Sequence, residues 1–320
     1  MTEPRLRPWL TGGDRERMSA GIGNWEGFHA SPYTVHDILA AAQEWKAALE
    51  GVERPWLCWN VDPQWSLLQQ LMLREVGWTP VVGWDPRVGC PPLVEGSIAI
   101  DFNRHFGFGT MYPHFPLEFA FAWAPRLAFW HADLLMPLDQ LRGYAERFAA
   151  VPDGEMLVVE PRPSWRQRLK EPHTRRYWEL LGCTTAGASR ANFDTGCGWW
   201  LCFYLHPNCP GDAERKKRTA LYWDCGVGVR YWHEALGGRV TVIPEEEVDE
   251  GHFTRMRRKN YVAASVDDWR RDLSKELSAN FPLGQVCGQF GLDALFDDVQ
   301  RRLQAAAPPS SAPPAQGATS

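Results

Sequence analysis

Residues 55–85, with the sequence PWLCWNVDPQWSLLQQLMLREVGWTPVVGWD, contain the pattern that decides the fold. A short apolar run ends in polar residues at Asn60, an amphipathic stretch opens at Pro63, and a second apolar run ends at Asp85. Apolar runs bounded by polar residues are typical of strands, and apolar residues at helical spacing are typical of a helix. A strand, a helix and a strand in succession predict a parallel sheet with helical crossovers.

The alternation of strand and helix patterns continues beyond this segment. Residues 138–149 have the apolar spacing of a helix, and a helix pattern that ends at Gly237 and Gly238 precedes a later strand. Residues 162–220 are rich in turn formers and predict loops, whereas residues 117–124 fit a helix or a strand equally well. Further strand patterns lie at 96–103, 127–130, 155–161 and 239–248. We predict an α/β protein with a mostly parallel sheet in a single Rossmann-like domain and with C-terminal helices.

The composition divides the chain into four parts. A leader or cap segment spans residues 1–54, the α/β domain spans residues 55–262, and C-terminal helices span residues 263–305. Residues 306–320 consist mainly of Ala, Pro and Ser and predict a disordered tail. The helix patterns outside the α/β domain lie at 36–49, 267–280 and 292–305.

The bulk properties of the chain exclude several classes of protein. The 320 residues carry a net charge of −5, whereas proteins that bind nucleic acid usually show a basic excess, so we predict no nucleic-acid partner. No run approaches the roughly 18 apolar residues of a membrane span, and the N-terminus lacks the apolar stretch of a signal peptide. We therefore predict a cytoplasmic protein whose eight cysteines are reduced.

Polar side chains follow several of the predicted strands. Asn60 and Asp62 come after the first strand, Asp85 after the second, and His131 and Asp133 after the strand pattern that precedes them. Ligands of open parallel sheets bind beyond the carboxyl ends of the strands. These five residues are therefore candidates for a ligand site.

The pair His131 and Asp133 predicts a metal ion at this site. Two residues apart in an extended chain, they point to the same side. The chain has no glycine-rich phosphate loop of either common type, so a divalent cation rather than backbone amides is expected to hold a bound diphosphate. Because imidazole suits transition metals better than Mg²⁺, Mn²⁺ is favoured over Mg²⁺.

Three further motifs follow in order along the chain. DFNRHFG at 101–107 contains Asn103 and Arg104, GCGWW at 196–200 ends in two tryptophans, and Asp224 precedes the helix pattern that is followed by His252 in DEGHF. The order of all the motifs over residues 55–262 resembles that of the nucleotide-sugar glycosyltransferases of the GT-A fold, which bind a sugar nucleotide over the ends of a mostly parallel sheet.

The resemblance implies a metal-assisted enzyme that moves a sugar from a nucleotide-diphosphate donor to a carbohydrate or another hydroxyl acceptor. It implies that Asp224 is the catalytic base and that His131, Asp133 and His252 hold the metal and the diphosphate. The donor-binding residues that it implies are Asn60, Asp62, Asp85, Asn103 and Arg104. Aromatic rings stack on sugar faces, so the acceptor-binding candidates are Trp199 and Trp200, one of which should be exposed because adjacent residues face opposite ways.

Other interpretations of the same residues stay open at the level of sequence. The sheet could serve nucleotidyl transfer or belong to an inactive nucleotide-binding module. Asp133 could cap the structure that follows Pro137, and Asp224 could be the N-cap of its helix. A further alternative is an interaction protein whose fold is held by a structural zinc ion. Its ligands would be Cys197, Cys202, His206 and Cys209.

Overall fold

A computed structural model describes residues 43, 45–84, 89–101, 117, 120–162, 165, 169, 175–195, 197–199, 226–253, 277, 278 and 280–306. Within these residues the strands are β1 (Pro55–Trp59), β2 (Thr79–Trp84), β3 (Ile98–Asp101), β4 (Arg126–Trp130), β5 (Glu155–Glu160), β6 (Trp178–Thr185) and β7 (Arg239–Pro244). The α-helices are α1 (Pro63–Glu75), α2 (Leu138–Ala149), α3 (Ala186–Asp194), α4 (Val227–Leu236), α5 (Leu283–Phe290) and α6 (Asp293–Ala306). Short 3₁₀ helices span Ala120–Ala122, Glu245–Glu247 and Asp249–Gly251.

The strands form one sheet in the order β3-β2-β1-β4-β6-β5-β7. Neighbouring strands pair in parallel except at β6, which is antiparallel to both β4 and β5. Because β6 runs against the others, its first residues lie at the edge of the sheet where the other strands end. This edge is called the carboxyl edge below.

Both faces of the sheet are buried under helices. In β1, Leu57 and Trp59 belong to one apolar core, and Trp56 and Cys58 belong to the other. Side chains of α3 and α4 fill the first core, whereas side chains of α1, α2, α5 and α6 fill the second. Burial on both faces explains why the strands appear in the sequence as nearly continuous apolar runs.

The direction in which the chain progresses across the sheet reverses between β1 and β4. From β1 the chain proceeds to β2 and β3 on one side and then returns to β4, which pairs with the other side of β1. In open α/β sheets a crevice forms at such a point, outside the carboxyl ends of the two strands. Residues that directly follow β1 and β4 therefore border the expected ligand crevice.

Most of the predicted elements are confirmed. The strand, helix and strand of residues 55–84, the helix at 138–149 and the helix that ends before Gly237 all form, so the α/β class with a mostly parallel sheet is confirmed. The prediction of loops over residues 162–220 is wrong for residues 178–194, which form β6 and α3. The ambiguous residues 117–124 contain the 3₁₀ helix Ala120–Ala122.

Some predictions concern residues that the structure does not describe. These are most of the leader segment with its helix pattern at 36–49, most of the helix pattern at 267–280, and the tail beyond residue 306. The helix pattern at 292–305 corresponds to α6, whereas α5 has no counterpart among the predictions. None of the helices in the described ranges has the length and apolar character that crossing a bilayer requires.

Candidate metal centre

A tight turn directly after β4 carries two of the predicted metal ligands. The backbone N–H of His131 still donates to Leu180 of β6 at 2.9 Å, and the N–H of Leu134 then donates back to the carbonyl of His131 at 3.2 Å. The side-chain amide of Gln69, on α1, donates to the carbonyls of His131 and Leu134 at 2.8 and 3.0 Å. The turn at 131–134 is thus fixed on one side by β6 and on the other by α1.

The third predicted ligand, His252, is brought to this turn by an isolated β-bridge. Leu134 and His252 are antiparallel bridge partners, and the N–H of Phe253 donates to the carbonyl of Asp133 at 2.9 Å. On the other side of the bridge, the N–H of Leu135 donates to the carbonyl of Gly251 at 3.0 Å. The backbone of the segment after β7 is therefore locked onto the turn after β4.

The three side chains converge on one carboxylate oxygen. Oδ1 of Asp133 lies 3.6 Å from Nδ1 of His131 and 3.6 Å from Nε2 of His252. One potential ligand atom from each of the three residues lies within 4.8 Å of the other two. These separations are long for hydrogen bonds, whereas two ligands bound at about 2.1 Å to a tetrahedral ion are about 3.4 Å apart. The spacing therefore suits ligands arranged around a common cation.

The neighbouring charges give the two histidines opposite protonation states. Burial alone would lower the pKa of His131, but its contacts with Asp133 and Glu179 raise that pKa to about 10. Burial lowers the pKa of His252 to about 4, and the attraction of Asp133 does not offset it. Burial opposes ionisation of Asp133, but the histidines hold the pKa of its carboxyl group below the usual value. Without an ion, a charged His131 and a neutral His252 share the Asp133 carboxylate.

Glu179 belongs to this site and was not predicted from the sequence. Its Oε1 lies 3.5 Å from Nε2 of His131, and its side chain is 14% exposed. Glu179 is the second residue of β6, a strand that the turn-rich composition of residues 162–220 concealed. The available signal was the apolar run at residues 177–181, which only Glu179 interrupts.

The donor set fits a divalent transition metal. Two imidazole nitrogens and one carboxylate oxygen match the ligands that Zn²⁺, Mn²⁺ and Fe²⁺ take in proteins, whereas Mg²⁺ prefers oxygen and retains water. His131, Asp133 and His252 are the residues that would hold such an ion. The preference for Mn²⁺ over Mg²⁺ stays a prediction.

The other strand-end candidates differ in their surroundings. Asp62 is the N-cap of α1: its Oδ1 accepts from the N–H groups of Gln64 and Trp65 at 2.9 and 3.3 Å. Asn60 is fully buried at the end of β1, and its amide donates to the carbonyl of Gly89 at 2.8 Å. Its Oδ1 is buried and has no hydrogen-bond partner within the described part of the chain. Asp62 thus has a structural task, whereas the role of Asn60 in donor binding stays a prediction.

The predicted acceptor platform receives no support from Trp199. Its side chain is 1% exposed and packs edge-on against Phe129, with the ring centroids 5.6 Å apart, so Trp199 is a core residue. The expectation that one tryptophan of the pair is exposed therefore rests on Trp200, which lies outside the described residues. The remaining candidates outside the described residues are Asp85, Asn103, Arg104, Trp200 and Asp224.

Two of the alternative interpretations can be examined at single residues. The N-cap of α2 is Pro137 without a side-chain bond, and Asp133 faces the histidines, so the capping role suggested for Asp133 is wrong. The N-cap of α4 is Gly226, in a left-handed conformation, so Asp224 is not the cap of that helix. Of the cysteine cluster only Cys197 is described: it is buried, and its Sγ lies 3.6 Å from the carbonyl of Thr195.

Comparisons of the chain with models of known protein families, with curated proteins and with solved structures give no match. The site therefore has to be interpreted from its own residues and from its position on the sheet.

Proposed function

We propose that the protein is a metal-assisted glycosyltransferase that uses a nucleotide-diphosphate sugar as donor. The observation that carries the proposal is the convergence of His131, Asp133 and His252 at the carboxyl edge, where the chain reverses its direction across the sheet. A divalent cation bound there would neutralise the two phosphates and stabilise the leaving nucleoside diphosphate as a Lewis acid. An α/β sheet with this site at its edge fits the GT-A fold that the order of motifs implies.

Asp224, the proposed base, lies outside the described residues, and the description of this region begins at Gly226. The N–H of Gly226 donates to the carbonyl of Trp199 at 3.1 Å, and the carbonyl of Gly226 accepts from the N–H of Tyr177 at 3.4 Å. Tyr177 directly precedes β6, whose second residue contacts His131. The N-terminus of α4 thus contacts the residue that precedes β6. In the proposed reaction Asp224 accepts the proton of the acceptor hydroxyl, and the buried Asn60 at the end of β1 binds the donor.

The test is incubation of the purified protein with Mn²⁺ and a panel of nucleotide-diphosphate sugars, followed by chromatography of the released nucleotide. We expect slow release of nucleoside diphosphate with at least one donor. The variant Asp133→Asn should lose metal binding and turnover together, whereas Asp139→Asn, at an exposed position on α2, is the matched control. Release of pyrophosphate would instead indicate nucleotidyl transfer, and donor binding without release would indicate an inactive module.

A second variant separates catalysis from binding. General-base catalysis contributes roughly 10²- to 10⁴-fold to a rate, so Asp224→Asn should lower turnover by that factor while the donor dissociation constant stays nearly unchanged. Loss of donor binding in this variant would reassign Asp224 to a structural role. Zinc analysis addresses the structural-zinc alternative: stoichiometric zinc that is retained in Asp133→Asn, with unfolding on chelation, would support the cysteine cluster.

A further inference from the structure

The two ring nitrogens of His131 face different partners. Nδ1 faces Oδ1 of Asp133 at 3.6 Å, and Nε2 faces Oε1 of Glu179 at 3.5 Å. The two nitrogens are bonded to the same ring carbon, Cε1, and their outward directions diverge. Glu179 therefore faces a different ring nitrogen from Asp133, and it is not part of the group whose ligand atoms lie within 4.8 Å of one another.

The backbone fixes Glu179 at this position. Trp130, the last residue of β4, pairs with Leu181 of β6, and the N–H of His131 donates to the carbonyl of Leu180 at 2.9 Å. Glu179 is the next residue outward on β6, at the carboxyl edge, because β6 is antiparallel to β4. Its side chain is 14% exposed, so the carboxylate is held largely within the protein.

We infer that Glu179 is a positioning residue for the metal centre: its carboxylate faces Nε2–H of His131 at 3.5 Å and so leaves Nδ1 for the cation. Histidines that bind metals commonly donate their second ring N–H to a carboxylate, which fixes the tautomer and makes the metal-binding nitrogen more basic. The inference rests on the metal centre of the proposed function. It adds a carboxylate that neither the sequence motifs nor the resemblance includes.

The charge of the site is consistent with this arrangement. Two neutral imidazoles, the Asp133 carboxylate and the Glu179 carboxylate together carry two negative charges, which balance a divalent cation. Asp133 lies 3.6 Å from a ring nitrogen of each histidine, whereas Glu179 lies 3.5 Å from Nε2 of His131 and outside the group of potential ligands. Loss of Glu179 should therefore weaken metal binding without removing a ligand.

The test measures binding of Co²⁺ or Mn²⁺ alone, by calorimetry, in the full-length protein without any nucleotide. The metal dissociation constant should rise about 10-fold in Glu179→Gln and up to about 100-fold in Glu179→Ala, with partial recovery in Glu179→Asp. The matched control is Glu155→Gln. Glu155 is the first residue of β5, forms an ion pair with Arg239 at 3.1 Å and lies at the edge of the sheet opposite the carboxyl edge. Circular dichroism verifies that each variant is folded.

A spectroscopic measurement separates positioning from ligation and from folding effects. Nitrogen NMR of the zinc-loaded protein should show a protonated Nε2 and a metal-bound Nδ1 on His131, and the Nε2–H signal should shift in Glu179→Gln. The visible Co²⁺ spectrum should keep the same coordination number in wild type and in Glu179→Gln. A metal-bound Nε2, a change of coordination number, or an unchanged dissociation constant in Glu179→Ala would each overturn the inference.

The outcome is independent of the transfer reaction. A protein that binds the metal and shows the Glu179 dependence but releases no nucleoside diphosphate would refute the proposed function and leave the role of Glu179 intact. If the wild-type protein transfers sugar and the metal affinity is unchanged in Glu179→Ala, the proposed function is supported and the role of Glu179 is refuted.

Discussion

At the scale of single residues, the site depends on the carboxylate of Asp133, which lies beside two histidines with different protonation states. His131 is about one third exposed in its side chain, yet the carboxylates on either side of it keep it charged, whereas the more buried His252 stays neutral. The pKa values of about 10 and about 4 lie on either side of the usual histidine value of about 6.5. Both groups therefore keep their protonation states across the neutral range in the metal-free protein.

The first prediction concerns the pH dependence of stability without metal. Above pH 6.5 the folded state holds a proton on His131 that the unfolded chain releases, so stability falls as the pH rises towards about 10. Below pH 6.5 the unfolded chain binds a proton that native His252 does not take up, so stability falls as the pH drops towards about 4. The two contributions together are greatest near pH 6.5, with slopes of at most about 1.4 kcal/mol per pH unit on either side.

Urea unfolding in a chelator at pH 5, 6.5 and 8.5 measures this dependence. His131→Gln should flatten the alkaline side, and His252→Gln should flatten the acidic side. A wild-type stability that changes in one direction only across this range would contradict the assigned protonation states.

His131 and Asp133 could be predicted as a site from local sequence, because two polar groups interrupt an apolar strand and the alternation of side chains brings them together. They lie in a turn just beyond β4 rather than on the strand itself, and their proximity is confirmed. Glu179 could not be predicted in this way. Its contact with His131 depends on which strand pairs with β4 and in which direction, and no local pattern contains that information.

At the scale of elements, the metal centre depends on how closely two backbone segments approach each other. A Cβ atom at Gly251 would overlap the carbonyl oxygen of Leu135, so the bridge that holds His252 beside Asp133 requires a glycine at this position. The close approach, rather than an unusual backbone angle, explains the residue type.

Gly251→Ala should therefore break the β-bridge between Leu134 and His252 and displace His252 from Asp133. Forcing a methyl group into a packed contact costs about 1–3 kcal/mol, and the metal affinity should fall together with the stability. Gly143→Ala is the matched control: it lies in α2 with no atom within 4 Å of the added Cβ, so the change should be neutral or stabilising by up to about 1 kcal/mol. Thermal unfolding and Mn²⁺ calorimetry report both effects. Unchanged metal affinity in Gly251→Ala would show that the bridge does not position His252.

The missed elements β6 and α3 have sequences with weak local preferences. β6 contains Gly182, where a Cβ would overlap the carbonyl of Leu157 and the ring of Phe129, so the residue that weakens the strand pattern is required by packing. α3 contains Gly187 and several poor helix formers, and its N-terminus is capped by Thr185. Ser189 on α3 bonds to Thr184 and to the carbonyl of Leu117. Tertiary contacts, not local propensity, specify both elements.

At the scale of the whole molecule, the C-terminal helices complete one of the two cores. The helix α6 packs against α1, and the four aliphatic side chains that α5, α6 and their connection bury are Leu283, Val286, Leu292 and Val299. On the same face of the sheet they join the side chains of α1 and α2. The predicted C-terminal helices are therefore packed into the second core of the α/β fold.

A chain that stops after residue 282 should not fold stably. Burial of the four aliphatic side chains stabilises the fold by about 6–12 kcal/mol, which is comparable with the whole stability of a typical domain, about 5–15 kcal/mol. A chain that stops after residue 306 keeps both helices and is the matched control. Yield of soluble protein and the thermal midpoint measure the difference. A shorter chain with the midpoint of the control would show that α5 and α6 are dispensable.

Because a β-bridge joins residues 134 and 252, an ion bound at this site would link two distant parts of the chain. Three strands and three helices lie between the turn after β4 and the segment after β7 within the described residues. An ion held by residues at both ends of this segment would close a large loop and would bind only the folded state, so its concentration would set the apparent melting temperature. Chelation should therefore first loosen the segment after β7 and expose it to proteases while the rest of the sheet remains intact.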